Sequence, residues 1–494
     1  VSRKADVCMV LEGTYPYVEG GVSSWTHELI NRQSHLTFHL VCLLPKDADF
    51  EMKYKLPDNV ISVTDVHLQD LPMSTANVLG RINELKAPLN NFTVGEASMA
   101  DMERIVNVLH SGIGKPGANQ LLDSEEAWGV LVEMYEQSFE DSSFLDYFWS
   151  WRAIAGGLYS LMLADIPDAD VYHALSTGYA GVFAARAKLE KNKPMLLTEH
   201  GIYTNERRIE IASAEWIEEA IQRALTVDET RSSLRDFWID SFTNYSRVCY
   251  EAADEIITLY SGNQIAQLAD GADEDKMVIV PNGVDVERFS ALSRKSSGSP
   301  TIALIGRVVP IKDIKSFIRA CGQLSNQLPD LKAYIMGSYD EDEEYYEECV
   351  DMVEYMSLGN VVEFTGQVNI DEYLPEVDII VMTSISEAQP LVILEAGAAG
   401  IPCVATNVGA CSEMILGHAG EEPALGDGGA IVPLSNPLAT ATALYELLTN
   451  KEKYESCSDA IRKRVSTHYT KEMQHGAYRE LYDNYVRNGQ RRAA

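Results

Sequence analysis

Apolar residues along this chain fall into short, nearly unbroken runs, separated by longer stretches in which they recur at helical spacing. Runs at Val7–Leu11, Phe38–Leu44, Val171–Leu175, Met195–Thr198 and Ile256–Leu259 form a first set. A second set follows at Thr301–Ile305, Leu331–Met336, Val361–Phe364, Asp378–Met382 and Cys403–Ala405. Runs of roughly four to eight Val/Ile/Leu-rich residues predict strands buried on both faces, as a parallel sheet between helical layers requires. Two sets predict two doubly wound units, so the expected class is α/β with two Rossmann-like domains.

The pattern changes in three places. Pro281–Phe289 closes the first set, and Ser293–Pro300 is rich in Ser and Lys with little apolar content, which reads as an exposed linker. From about Asp65 to Asp165 no strand-like run is found, predicting a helical insertion in the first domain. Its second half is aromatic (Phe139, Phe144, Tyr147, Phe148, Trp149, Trp151), and these rings serve either the insertion's own core or a docking or acceptor-binding face. Thr470–Asn488 reads as a terminal helix with Met473, Tyr478, Leu481 and Tyr485 as its apolar positions; periodicity does not say where it packs. The expected division is residues 1–285, 286–469 and a terminal helix over 470–494.

Charge narrows the class of partner. Among 494 residues, 74 Asp and Glu face 40 Lys and Arg, a net charge of −34. Such acidity argues against a nucleic-acid surface, which needs a Lys/Arg excess, while leaving room for a local basic pocket. The eight cysteines are scattered without a CxxC pair and read as buried thiols of a reducing compartment rather than a zinc site or disulfide framework. The apolar run Val7–Leu11 is too short for a signal peptide, and no run approaches the roughly 20 residues of a membrane span. A cytoplasmic protein is expected.

The segment most informative about chemistry is Ser384–Gly400, SISEAQPLVILEAGAAG. It follows a strand, Pro390 suits the first turn of a helix, and Gly400 and Pro402 supply stop signals. Backbone N–H groups around Leu391 and Val392 would then point out of a strand's carboxyl end, where they can hold a phosphate. Glu387 precedes the helix and Glu395 lies about 7 Å along it, so the two carboxylates can each accept hydrogen bonds from vicinal hydroxyls. The plainer alternative is a helix cap and a solvent-facing acid. In Gly306–Asp313, GRVVPIKD, Arg307 and Lys312 project from a strand-to-helix loop where two cations can neutralise a diphosphate.

The first domain offers less specific candidates. Gly20 and Gly21 precede a helix without forming GxGxxG, so a dinucleotide oxidoreductase has little support. His173 and His200 close two strands at the edge where α/β sheets bind ligands, whereas His27 sits inside a helix and reads as packing. DxD pairs at Asp47/Asp49, Asp168/Asp170 and Asp340/Asp342 read as loop, wrong-edge and helix-start acids, so no metal is expected.

Taken together, Glu387-x7-Glu395, the following GxP, Arg307 with Lys312, and PNGVD at Pro281–Asp285 resemble the GT4 family of retaining glycosyltransferases, which have the GT-B fold. LEGTYPYVEGGVSSW (Leu11–Trp25) and TEHGIYTNERRIEI (Thr198–Ile211) are similar to the branch that serves bacterial Pel exopolysaccharide synthesis. The resemblance implies two Rossmann-like domains facing a cleft, with the terminal helix returning to the first. It implies transfer of a hexosyl unit from a UDP-sugar, UDP-glucose being the first choice, to a growing polysaccharide. Arg307 and Lys312 would clamp the diphosphate, Glu387 and His200 would face the donor sugar, and Glu395 would hold the ribose. Gly20, Gly21, His173, Gly306, Gln389, Pro390, Leu391, Val392 and Ile393 would line the donor, and Gln367 and Val368 the uracil. Ala388 and Gln389 depart from the family's commoner Gly and aromatic residue. No cofactor or metal is implied; the partner implied is an inner-membrane synthase and export complex. The alternatives are a non-catalytic nucleotide-sugar-binding subunit of such a complex and a UDP-sugar epimerase of the same fold.

Overall fold

The computed structural model describes residues 4–46, 50–74, 79–112, 114–213, 234–293, 295, 298–418 and 420–493. Asp47 and Asp49, and part of the Ser293–Pro300 stretch, lie outside the described residues. The chain divides into two compact units, one of Val1–Thr258, Asn263–Ile279 and Tyr478–Ala494, the other of Leu259–Gly262 and Val280–Ala477.

The first unit holds a seven-stranded sheet in the order β3-β2-β1-β4-β5-β6-β7. Its strands are β1 (Ala5–Glu12), β2 (Phe38–Leu44), β3 (Val60–His67), β4 (Ala169–Ala174), β5 (Met195–Glu199), β6 (Glu255–Thr258) and β7 (Met277–Ile279). The second unit holds six strands in the order β10-β9-β8-β11-β12-β13. These are β8 (Thr301–Ile305), β9 (Lys332–Met336), β10 (Val362–Gly366), β11 (Ile379–Met382), β12 (Cys403–Thr406) and β13 (Gly429–Val432). Every strand pairing is parallel. The cause is visible in β11, where Ile380 and Met382 enter one hydrophobic core while Ile379 and Val381 enter the other. A strand covered on both faces favours apolar residues at successive positions.

All ten expected strands are present with ends within two residues of expectation. The three strands not expected are β3, β7 and β13, and each lies at a sheet edge. β3 corrects the expected insertion boundary: it runs through Asp65 to His67, and the helices begin beyond it. Helices Met99–Leu109, Glu125–Ser138 and Phe144–Leu163 then start at Ser98, Ser124 and Ser143, whose hydroxyls accept N–H groups of the first turn. Phe139, Tyr147 and Trp151 are buried in the core shared with the sheet, so these aromatics are structural. Trp128, Leu145 and Trp149 remain exposed.

The helix Lys471–Ala493 ends the chain, and from Tyr478 onward it belongs to the first unit, where Tyr478 and Tyr482 are wholly buried. Among the described residues, no helix is long and apolar enough to cross a membrane.

Candidate functional site

In the second unit the connections from β8 and β11 run outward to opposite sides of the sheet, so the switch point lies between these two neighbours. Ligand crevices of open α/β sheets form there, at the carboxyl ends of the strands. The segments leaving those ends are Gly306–Asp313 and Thr383–Gln389, and the backbone ties them together. Thr383 Oγ1 donates to the carbonyls of Lys312 and Asp313 at 2.9 and 3.0 Å, and the Ile385 N–H donates to Ile311 O at 2.8 Å. The Lys312 ammonium pairs with the Glu387 carboxylate, both side chains largely buried. A Cβ at Gly306 would lie 3.4 Å from the Lys312 Cε, so the lysine stem passes over a residue without a side chain.

Beside this pair stands the helix Leu391–Ala398. Pro390 is its N-cap residue, with extended ψ of 116°, rather than a member of the first turn as expected. No side chain caps this helix, so its first-turn N–H groups retain capacity for an anion. Leu391 is exposed, Val392 half-buried and Ile393 buried. Gln389 is buried; its Oε1 accepts the Asn282 N–H at 2.6 Å, and its Nε2 has no partner among the described residues. Gln474 completes the connection, donating to Asn282 Oδ1 at 3.3 Å and accepting the Gly283 N–H at 3.1 Å. The PNGVD turn is thus held against the helix start. The buried Ser384 hydroxyl is likewise without a partner.

The other expected residues of this unit have separate neighbours. Arg307 pairs with Glu341, with both side chains exposed. Glu395 is half-buried, and burial raises its carboxyl pKa, opposed by Arg288, reinforced by Asp371 and opposed again by Lys471. Among the described residues, Arg307 and Lys312 take Glu341 and Glu387 as their ion-pair partners, not Glu395. Gln367 is exposed and Val368 packs on the core just past β10.

In the first unit the switch point lies between β1 and β4. Gly20 caps and Gly21 opens the helix Gly21–Arg32, and a Cβ on either would meet nothing within 4 Å. His173 is wholly buried, with Nδ1 bonded to the Tyr482 hydroxyl at 2.7 Å and Nε2 to the Thr198 hydroxyl at 2.8 Å. Burial, then His200, pushes it down to about 3. Neither ring nitrogen is left for a donor, so His173 is a packing residue and not the ligand contact expected. His200 stands edge-on to Trp25 at 4.6 Å; its Nε2 is buried without a partner among the described residues, and burial pushes it down to about 4. That burial favours the uncharged imidazole at neutral pH. His27 bonds the Tyr15 hydroxyl at 3.0 Å, consistent with packing.

Two carboxylates at the same edge were not singled out from the sequence. Glu12, ending β1, accepts the Tyr203 hydroxyl at 2.9 Å and the Ala180 N–H at 3.2 Å, and burial raises its pKa. Glu199, ending β5, accepts Tyr250 Oη at 2.7 Å and Gln267 Nε2 at 2.8 Å, and burial pushes it up to about 7. The signal was available: each is a charge closing an apolar run. The remaining DxD acids have local partners. Asp168 pairs with Lys191 and Asp170 with Lys193, Asp340 accepts the Ser338 hydroxyl, and Asp342 caps a helix. All eight cysteines are buried and free.

Two parallel-sheet Rossmann-like units of this kind define the GT-B glycosyltransferase class of fold. HepE of Anabaena in complex with UDP superposes over 97% of this chain and 100% of its own, with a TM-score of 0.59 and 14% identity. A glycosyltransferase of Rickettsia africae ESF-5 matches over 98% and 99%, with a TM-score of 0.58 and 14% identity. Residues 5–275, more than half of the chain, match the family described as "Domain of unknown function (DUF3492)", and the chain belongs to that family. Residues 285–464 match "Glycosyl transferases group 1". A D-inositol 3-phosphate glycosyltransferase of Paenarthrobacter aurescens is 31% identical over 218 residues, covering 41% of this chain and 48% of the relative. The chain spans about half the length of the curated relatives it matches first.

Proposed function

We propose that this chain is a retaining hexosyltransferase that takes a UDP-sugar, UDP-glucose first, and extends an exopolysaccharide of the Pel type, as PelF-like enzymes do. The observation that carries the reading is the Lys312–Glu387 pair at the second unit's switch point, which joins two motifs far apart in sequence beside a helix start without a side-chain cap. A diphosphate seated there would draw on Lys312, Arg307 and the N–H groups of Leu391 and Val392, with Gln389 Nε2 as a further donor. These positive groups stabilise the charge that develops as UDP departs. Glu387 would meet the sugar hydroxyls and Glu395 the ribose, with the uracil near Gln367 and Val368. The departing phosphate can accept the acceptor hydroxyl's proton, so no side chain need act as covalent nucleophile. We assign the acceptor side to the first unit, whose β1 carries Glu12 at its carboxyl end. No resident metal or cofactor enters this scheme.

Titrating UDP by calorimetry tests the donor site. Charge-assisted hydrogen bonds are worth about 1.5–3 kcal/mol, so Arg307→Ala and Lys312→Ala should each weaken UDP at least tenfold. Unchanged affinity in both would overturn the assignment. Acceptor-dependent release of UDP from UDP-glucose separates an enzyme from a binding subunit.

We further propose recruitment to an inner-membrane synthase complex through the helical insertion, on the strength of the exposed Trp128, Leu145 and Trp149. Replacing both tryptophans by Ser should release the chain from membrane fractions with UDP binding intact; full retention counts against this surface.

A further inference from the structure

Arg307 leaves the carboxyl end of β8 with its guanidinium paired to Glu341, and the surrounding backbone makes that encounter a built one. The Gly306 N–H donates to Met336 O and the Val308 N–H to Ser338 O, each at 2.9 Å, so the loops after β8 and β9 are stitched together. A Cβ at Gly337 would lie 2.1 Å from Gly306 O, which shows how closely the two backbones run. Tyr339 stacks on Tyr346 at 4.3 Å, fixing the far side of the same loop. Glu341 is therefore presented to Arg307 from an anchored turn.

The neighbouring acids are occupied in other ways. Asp340 accepts the Ser338 hydroxyl at 3.3 Å, Asp342 accepts the Tyr345 N–H at 2.9 Å as a helix cap, and Glu348 pairs with Lys315. Of these acids, Glu341 is the one aimed across at the strand-end cation.

Resting on the donor-site reading above, we infer that Glu341 is an internal competitor that occupies Arg307 in place of the donor's diphosphate and reclaims it when UDP leaves. A carboxylate and a phosphate offer a guanidinium the same pair of acceptor oxygens. An exposed ion pair is weak enough to be displaced by a doubly charged ligand. Glu341 thus lowers the affinity for donor and for product UDP alike, favouring release after transfer.

UDP affinity and dissociation rate would be measured for the full chain, Glu341→Gln, Arg307→Ala, the double variant and Glu348→Gln. An exposed pair's usual strength corresponds to a two- to fivefold tighter UDP complex in Glu341→Gln, with slower dissociation. That gain should vanish when Arg307 is Ala, and Glu348→Gln, with the same change in net charge, should not reproduce it. Unchanged or weaker UDP binding in Glu341→Gln overturns the inference, and so does an equal gain in the Arg307→Ala background. If Arg307→Ala weakens UDP while Glu341→Gln does nothing, only the competitor role falls. If Arg307→Ala binds UDP as the parent does, the clamp reading falls and this inference with it.

Discussion

Glu199 shows how far one buried side chain can organise a strand end. Four elements deliver donors to its carboxylate: Thr177 from the loop after β4, Tyr203 from the helix that follows, Tyr250 and Gln267. Burial nevertheless outweighs these bonds and leaves the group titrating at about 7 rather than 4.5. An acid whose pKa is raised on folding binds a proton in the native state that the unfolded chain has already lost. Its favourable contribution is present below pH 4.5 and disappears as pH rises to 7, beyond which the cost is constant. Glu199→Gln is neutral throughout and escapes that cost. In urea unfolding, the variant's stability relative to the parent should rise by about 1–3 kcal/mol between pH 5 and pH 8. A pH-independent difference would show that Glu199 is not the titrating group. Glu12 keeps its raised pKa in both proteins, so its contribution largely cancels from the comparison.

The strands readable in the sequence were those whose residues are pinned between two helical layers. β2 is buried at all seven positions and β4 at all six, so both are dominated by apolar residues, with His39 and His173 among the interior exceptions. β3 is only half-buried and carries Ser62, Thr64 and Asp65, and β7 is three residues long, so edge position erased the pattern that identifies a strand. The same physics governed the site. Arg307, Lys312 and Glu387 stood out in the sequence as charges in the loops that follow apolar strands, and Lys312 and Glu387 do meet in the structure. His173 looked equivalent, yet its strand is fully interior, and both ring nitrogens serve the core. Glu341 was hidden inside the acidic stretch from Asp340 to Glu348, where composition cannot separate a helix cap from a side chain reaching to the next loop.

The chain is also organised at long range, because the first unit is not contiguous in sequence. Its last segment, Tyr478–Ala494, follows the whole of the second unit's main segment. Two side chains show why that segment matters to the first unit. The Tyr478 hydroxyl lies 3.1 Å from Thr198 Oγ1 and its ring 5.2 Å from Trp25, while Tyr482 bonds His173 and meets Phe38 at 6.0 Å. Ending the chain at Ala477 would remove two wholly buried aromatics and strand the His173 Nδ1 in an apolar interior. Large buried aromatics cost about 3–5 kcal/mol each when deleted, so the first unit should lose on the order of 5 kcal/mol or more. The second unit's cores draw on residues no later than Tyr469, so its own transition should be little affected. Calorimetry of the truncated chain should show one transition displaced far downward or absent. The double variant Tyr478→Phe/Tyr482→Phe keeps the rings and loses only their hydroxyl bonds, and should shift the same transition by a smaller step of about 1–3 kcal/mol. Superimposable melting curves for the parent and the truncated chain would mean that the terminal helix contributes nothing to the unit in which it is buried.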